Sequence, residues 1–215
     1  MGKLYVLPGL GADYRIYQNI DLQGYDVVNV EWMEPEKLDT LSTYAQKLID
    51  KYHIRPHSIL IGNSLGGMLS IEIAKKVEID KVILISSIKT FHEAPWGFTL
   101  YRYIPLSYKI IKKLIGSVRY IIKLIFGDMS QENQELFISM LQNTSPTFIQ
   151  WANKAVLKWD NQIIPKNVYH IHGDKDHIFP YRKIKNATII KDGSHIMIFD
   201  RAKEINTWLK GILPT

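Results

Sequence analysis

The chain contains no cysteine, and that one absence removes disulfides, thiolate metal sites and a cysteine nucleophile together. No apolar run reaches the length of roughly 20 residues that a membrane-spanning helix needs. Acidic residues are missing between Trp96 and Gly127, where Arg102, Lys109, Lys112, Lys113, Arg119 and Lys123 occur, and this stretch alone accounts for the formal net charge of +6. With the remainder balanced, no broad basic face for nucleic acid is indicated. Internal repeats and low-complexity tracts are absent too. The opening Met1-Gly2-Lys3-Leu4 runs straight into a strand rather than through a signal peptide, so a soluble, cytoplasmic protein is expected.

What is present reads as one domain with an insertion: 215 residues, 46% of them apolar, can bury a sizeable core. Short apolar strands are predicted over Lys3 to Leu7, Tyr25 to Trp32, Ile59 to Ile61, Lys81 to Ser87, Asn167 to His172 and Ala187 to Ile190. Helical stripes fall between them: Leu41, Tyr44, Ala45, Leu48, Ile49 and Tyr52 behind a cap at Asp39 or Thr40, then Met68 to Val77, and finally Ala202, Ile205, Leu209 and Ile212. Strand and helix in alternation imply right-handed crossovers and a mostly parallel six-stranded sheet covered on both faces.

The rhythm breaks between Thr90 and Asn161, which predicts a core formed by 1–89 and 162–215 and a helical cap, or lid, over 90–161. Within the break, Ile110, Ile111, Leu114, Ile115, Val118, Ile121, Ile122 and Ile125 form one stripe with lysines and arginine between them. Ser130 and Ser145-Pro146 each begin a further helix. The basic stripe is read as covering a pocket with its apolar face and wetting its lysines. Contact with a membrane surface, or with an anionic apolar substrate, is the less favoured alternative.

The most informative stretch is Gly62-Asn63-Ser64-Leu65-Gly66-Gly67, where a buried strand turns into a helix around one serine. Glycines relieve the collision that side chains would suffer at so sharp a bend, and the turn forces Ser64 into a sparsely populated conformation with its hydroxyl beyond the sheet edge. Asp176 and His195 each follow a later strand. In an open parallel sheet all three positions reach the same edge.

The elbow Gly62 to Gly67, the turn Gly173-Asp174-Lys175-Asp176-His177-Ile178-Phe179-Pro180 and the loop Gly193-Ser194-His195 together resemble the α/β-hydrolase family from Leu4 to about Leu209, the cap apart. The resemblance implies the α/β-hydrolase fold with Ser64 as nucleophile, His195 as base and Asp176 as acid, the family's Gly-x-x-Asp spacing favouring Asp176 over Asp174, with Asp128 a distant third. It also implies an oxyanion hole from the backbone N–H groups of Leu10 and Leu65. This chain departs from the family in starting that loop Pro8-Gly9-Leu10-Gly11 rather than His-Gly, in a short interval from acid to histidine, and in lacking a first antiparallel hairpin.

The expected activity is hydrolysis of a small to medium apolar carboxylic ester through an acyl-enzyme, without a cofactor or metal. Trp96, Phe148 and Trp151 are expected to line the substrate pocket, with Phe98, Tyr101 and Trp159 nearby. A thioesterase or acyltransferase with the same three residues, a lyase, and a catalytically silent ligand-binding member of the fold remain alternatives. The partner expected is therefore a small-molecule ester or thioester. Of the remaining histidines, His172 at the end of a strand is the one that could line the pocket floor.

Overall fold

The computed structural model describes residues 2–95 and 129–213. Trp96, Phe98, Tyr101, the basic stripe 110–125 and Asp128 lie outside the described residues. Six strands, β1 (Leu4–Leu7), β2 (Val27–Asn29), β3 (Ser58–Asn63), β4 (Ile79–Ile85), β5 (Val168–Gly173) and β6 (Thr188–Ile190), form one sheet in the order β2-β1-β3-β4-β5-β6. Every pairing is parallel. The chain winds one way from β1 to β2 and the other way from β3 to β6, so the direction reverses between β1 and β3, and a crevice opens there at the carboxyl ends. Leu7 pairs with Gly62, Asn63 with Ile85, and Gly173 with Ile190.

Side chains alternate across the sheet with period two. Tyr5, Leu7, Leu60, Val82 and Leu84 enter one core beneath α1 (Leu41–Tyr52) and α2 (Leu65–Ala74). Leu4, Val6, Ile59, Ile61, Ile83 and Ile85 enter the other, which the C-terminal helices close. Thr40 rather than Asp39 caps α1, because Thr40 and Thr43 satisfy each other's backbone N–H groups in a capping box while Asp39 pairs with Lys47. Helix α2 starts at Leu65, three residues earlier than its apolar pattern predicts. It grows directly from the bend, where the Ser64 carbonyl accepts the amides of Gly67 and Met68, and it is buried on nearly every side, which blurs any stripe.

Two helices of the predicted insertion are described, α3 (Gln131–Asn143) and α4 (Pro146–Lys158), capped by Ser130 and Ser145 as the sequence indicates. They pack on opposite sides: Phe137 and Met140 of α3 join the second core, whereas Phe148, Trp151, Ala152 and Ala155 of α4 join the first. Helices α5 (Met197–Asp200) and α6 (Ala202–Lys210) complete the described chain. Among the described residues no helix is long and apolar enough to cross a membrane.

Buried polar groups tie the ends of the insertion to the sheet. Trp159 Nε1 donates to Glu72 Oε1 at 2.8 Å, and Lys75 Nζ bridges Glu72 and Asn161. Asn161 Nδ2 in turn donates to the Lys89 carbonyl at 2.9 Å. Lys89 is itself buried, and its three ammonium donors meet Glu93 Oε1 at 2.8 Å, the Lys185 carbonyl at 2.7 Å and His170 Nδ1 at 2.9 Å. Burial pulls the Lys89 ammonium below its usual range despite the Glu93 carboxylate beside it. A buried charge that loses its partner is expensive to leave in place. Glu93→Gln, which preserves size but removes the countercharge, is expected to lower unfolding stability by about 3 kcal/mol in urea titrations; a loss below about 1 kcal/mol would show that the pair is screened rather than dry.

Candidate active site

Ser64 adopts φ 50° and ψ −115° between β3 and α2, a conformation that side-chain-bearing residues rarely hold and that costs on the order of 1 to 3 kcal/mol. Three contacts fix it. Its amide and Asn63 Nδ2 both donate to the Ile85 carbonyl at 3.0 and 3.2 Å, and Ser87 Oγ donates to the Ser64 carbonyl at 2.7 Å. The end of β1 presses so closely on the first turn of α2 that a Cβ on Gly66 would collide with the carbonyls of Leu7 and Pro8. That approach brings the following loop to the serine: a Cβ on Gly9 would stand 3.4 Å from Ser64 Cβ and 2.9 Å from Asn63 Oδ1.

Opposite Ser64, residues that lie far apart in the sequence converge. His195 Nε2 is 2.9 Å from Ser64 Oγ, and His195 Nδ1 is 2.8 Å from Asp176 Oδ2. An ionised carboxylate only accepts, so Nδ1 carries the imidazole proton and Nε2 is left bare to accept from the serine hydroxyl. Asp176 Oδ1 accepts the amides of Ile178 and Phe179, both at 2.8 Å. Burial by itself would push the Asp176 carboxyl up; the His195 ring, the His172 ring and the Phe179 amide outweigh it and hold the group below the usual carboxylate range. Asp176 and His195 are buried, while Ser64 is partly open to solvent.

Asp174 is turned to a different task, its Oδ1 accepting the Asp192 amide at 2.7 Å and so joining the acid turn to the histidine loop. Only one short 3-10 turn, Tyr181–Lys183, fits between the acid turn and β6. Among the described residues no hydrogen bond is made by the amides of Leu10 and Leu65; Leu65 follows Ser64 directly, and Gly9, the residue before Leu10, approaches Ser64 closely. Phe148 and Trp151 pack on other rings: Phe148 stacks on Trp32 with centroids 5.1 Å apart, and Trp151 packs against Tyr44 at 4.4 Å while donating Nε1 to the Asp39 carbonyl. Phe148 lines a cavity of about 370 Å³ with Pro8, Trp32, Met33 and Met140; Trp151 lines a separate groove. His172 lies under Asp176, wholly buried, rather than on a pocket floor.

The Lys89, Glu93 and His170 cluster has no counterpart in the sequence reading. Lys89 stands four residues past the end of β4, and a lone lysine in a loop carries no distinguishing pattern. His172 was visible, but its role depends on which carbonyl its ring meets, which no spacing reveals.

Residues 4–208 match the model of the alpha/beta hydrolase family. No curated protein matches. Among solved structures, a hydrolase from Pseudomonas aeruginosa PA01 superposes with a TM-score of 0.76 at 15% identity, covering 100% of this chain and 90% of that one. A thermophilic esterase from Thermogutta terrifontis gives 0.72 at 14% identity, covering 99% and 90%. A bromoperoxidase from Bacillus anthracis gives 0.71 at 18% identity, covering 99% and 92%. At such identities the likeness concerns the fold.

Because the Asp176 carboxyl is held down in the folded chain, the stability it contributes is present above the ordinary carboxylate value of about 3.9 and disappears as pH falls through the lower folded value. Asp176→Asn is therefore expected to differ most from the unsubstituted protein near neutral pH and to converge with it in acid. Urea unfolding across roughly pH 2.5 to 6 measures this, and a constant difference across that range would contradict it.

Proposed function

Because this chain belongs to the alpha/beta hydrolase family, we propose that it is a serine hydrolase, with Ser64, His195 and Asp176 as its catalytic residues and a carboxylic ester as its substrate. One observation carries the reading: an unbroken hydrogen-bonded chain from a strained, partly open serine hydroxyl through an imidazole to a buried carboxylate, with steps of 2.9 and 2.8 Å.

The chemistry follows from those positions. As Ser64 Oγ attacks an ester carbonyl, His195 Nε2 takes its proton, and the imidazolium so formed is held in place by Asp176. The carbonyl oxygen becomes an oxyanion beside the free amides of Leu10 and Leu65, donors of this kind each being worth about 3 to 4 kcal/mol to the transition state. His195 then gives its proton to the departing alkoxide, leaving Ser64 acylated. Water enters along the same line and loses a proton to His195 as it attacks the acyl carbon; the bond to Ser64 Oγ then breaks, His195 returns the proton to Oγ, and the carboxylic acid leaves.

Support for a small to medium group with an apolar part comes from the cavity of about 370 Å³ beside Pro8, where Phe148, Trp32 and Met140 form an apolar wall and Asp13, Glu31 and Glu34 line the remainder. Residues 90–161 are read as the lid over this edge, since the turn between α3 and α4 contributes Asn143, Thr144 and Ser145 to the same cavity.

A fluorophosphonate probe is expected to attach to Ser64 and to leave Ser64→Ala unlabelled, with turnover of p-nitrophenyl esters reduced at least about a thousandfold in that variant. Labelling of Ser86, Ser87 or Ser194 instead would defeat the assignment. No turnover across esters of rising chain length would defeat the substrate class.

A further inference from the structure

Beneath the acid lies a second layer of buried polar groups that the steps above do not use. His170 and His172 stand two residues apart on β5, so both rings point to one face, with centroids 5.4 Å apart. His172 Nε2 is 2.7 Å from the Phe179 carbonyl. A carbonyl can only accept, so Nε2 bears the proton. The same edge of the ring lies 3.3 Å from Asp176 Oδ2, the oxygen that also meets His195.

The protonation of His172 is closely constrained. Its Nδ1 is buried and, among the described residues, has no hydrogen-bond partner, so a second proton there would be stranded away from water. Burial accordingly keeps the ring neutral against the pull of Asp176, with His195 adding to the effect of burial and Glu93 opposing it. One layer further in, the Lys89 ammonium donates to His170 Nδ1, which makes that atom an acceptor and denies His170 a cationic form. The charged and titratable groups around His172 are thus Asp176 on its own turn, His195 from the loop after β6, His170 on its own strand, and Lys89 and Glu93 from the segment after β4.

Resting on the serine-hydrolase reading, we propose that His172 is a positioning residue for the acid. Its Nε2–H holds the Phe179 carbonyl, and so fixes the turn whose Ile178 and Phe179 amides grip Asp176 Oδ1, while the same edge faces Oδ2 and keeps the carboxylate aimed at His195 Nδ1. A phenylalanine there would keep an aromatic ring and lose the donor, which separates the two contributions.

The test compares the unsubstituted protein with His172→Phe, which removes the donor, and His172→Gln, whose amide can still reach the Phe179 carbonyl. With p-nitrophenyl acetate, His172→Phe is expected to lower kcat about 10- to 100-fold with KM within about twofold, the pattern of a misaimed catalytic group. The acid limb of its kcat/KM profile is expected to move to higher pH, because an Oδ2 charge no longer shared with His172 favours the imidazolium of His195. His172→Gln is expected to recover most of the rate. A folded His172→Phe protein with unchanged kcat and acid limb, or a His172→Gln protein as impaired as it, would overturn the proposal.

Should His172→Phe fail to fold, nitrogen-15 NMR of the histidines in the unsubstituted protein decides. The expected result is a neutral His172 protonated at Nε2 whose signal shifts when Ser64 is phosphonylated; a proton on Nδ1, or no response, would overturn it. If the unsubstituted protein takes no probe at Ser64, the hydrolase reading falls and this one with it. That outcome is distinct from a labelled protein indifferent to position 172.

Discussion

Strand ends that finish level with one another are what the rest of this structure depends on. The pairings of Leu7 with Gly62, Asn63 with Ile85 and Gly173 with Ile190 place the loops after β1, β3, β5 and β6 at one edge. A shift of one residue in any pairing would turn its side chains to the opposite core and move its loop off that edge. The bare backbone approach of Gly66 to the carbonyls of Leu7 and Pro8 sharpens the same constraint, since no side chain can separate the loop at Leu10 from the bend at Ser64.

Charge enters this apolar frame only where it is answered. Asp176, Glu72, Lys89 and Glu93 are all nearly sealed from solvent, and each meets several partners rather than one. Buried ions add little to stability on their own account, because desolvation offsets most of the attraction. Their value lies in specificity: a carboxylate with four lone-pair directions, three of them filled by Ile178, Phe179 and His195, has little freedom to turn.

The fold was legible because its signals are periodic and local. Continuous Val, Ile and Leu runs mark strands covered on both faces, and Ser130, Ser145-Pro146 and Thr40 mark helix starts through hydrogen bonds that reach only three residues. Ser64, Asp176 and His195 stand out because each follows a strand and sits in a Gly-marked turn, and the structure brings the three within hydrogen-bond reach. The start of α2 was misplaced, since a helix buried all round has no stripe to read. Aromatic character alone points to Phe148 and Trp151 as pocket residues, yet it equally suits a core, and their rings pack on Trp32 and Tyr44. Lys89 meeting His170 and Lys185 was beyond reach, because such long-range contacts leave no periodic trace.

The packing of α3 and α4 against opposite sides of the sheet has a thermodynamic consequence. A segment that belongs to one layer can peel away and leave the other intact, whereas this pair is sewn through both, with Met140 in one core and Phe148 in the other. Detaching it would expose apolar surface on both sides at once, so the two hydrophobic layers are linked into a single cooperative unit through a connection of only two residues, Thr144 and Ser145.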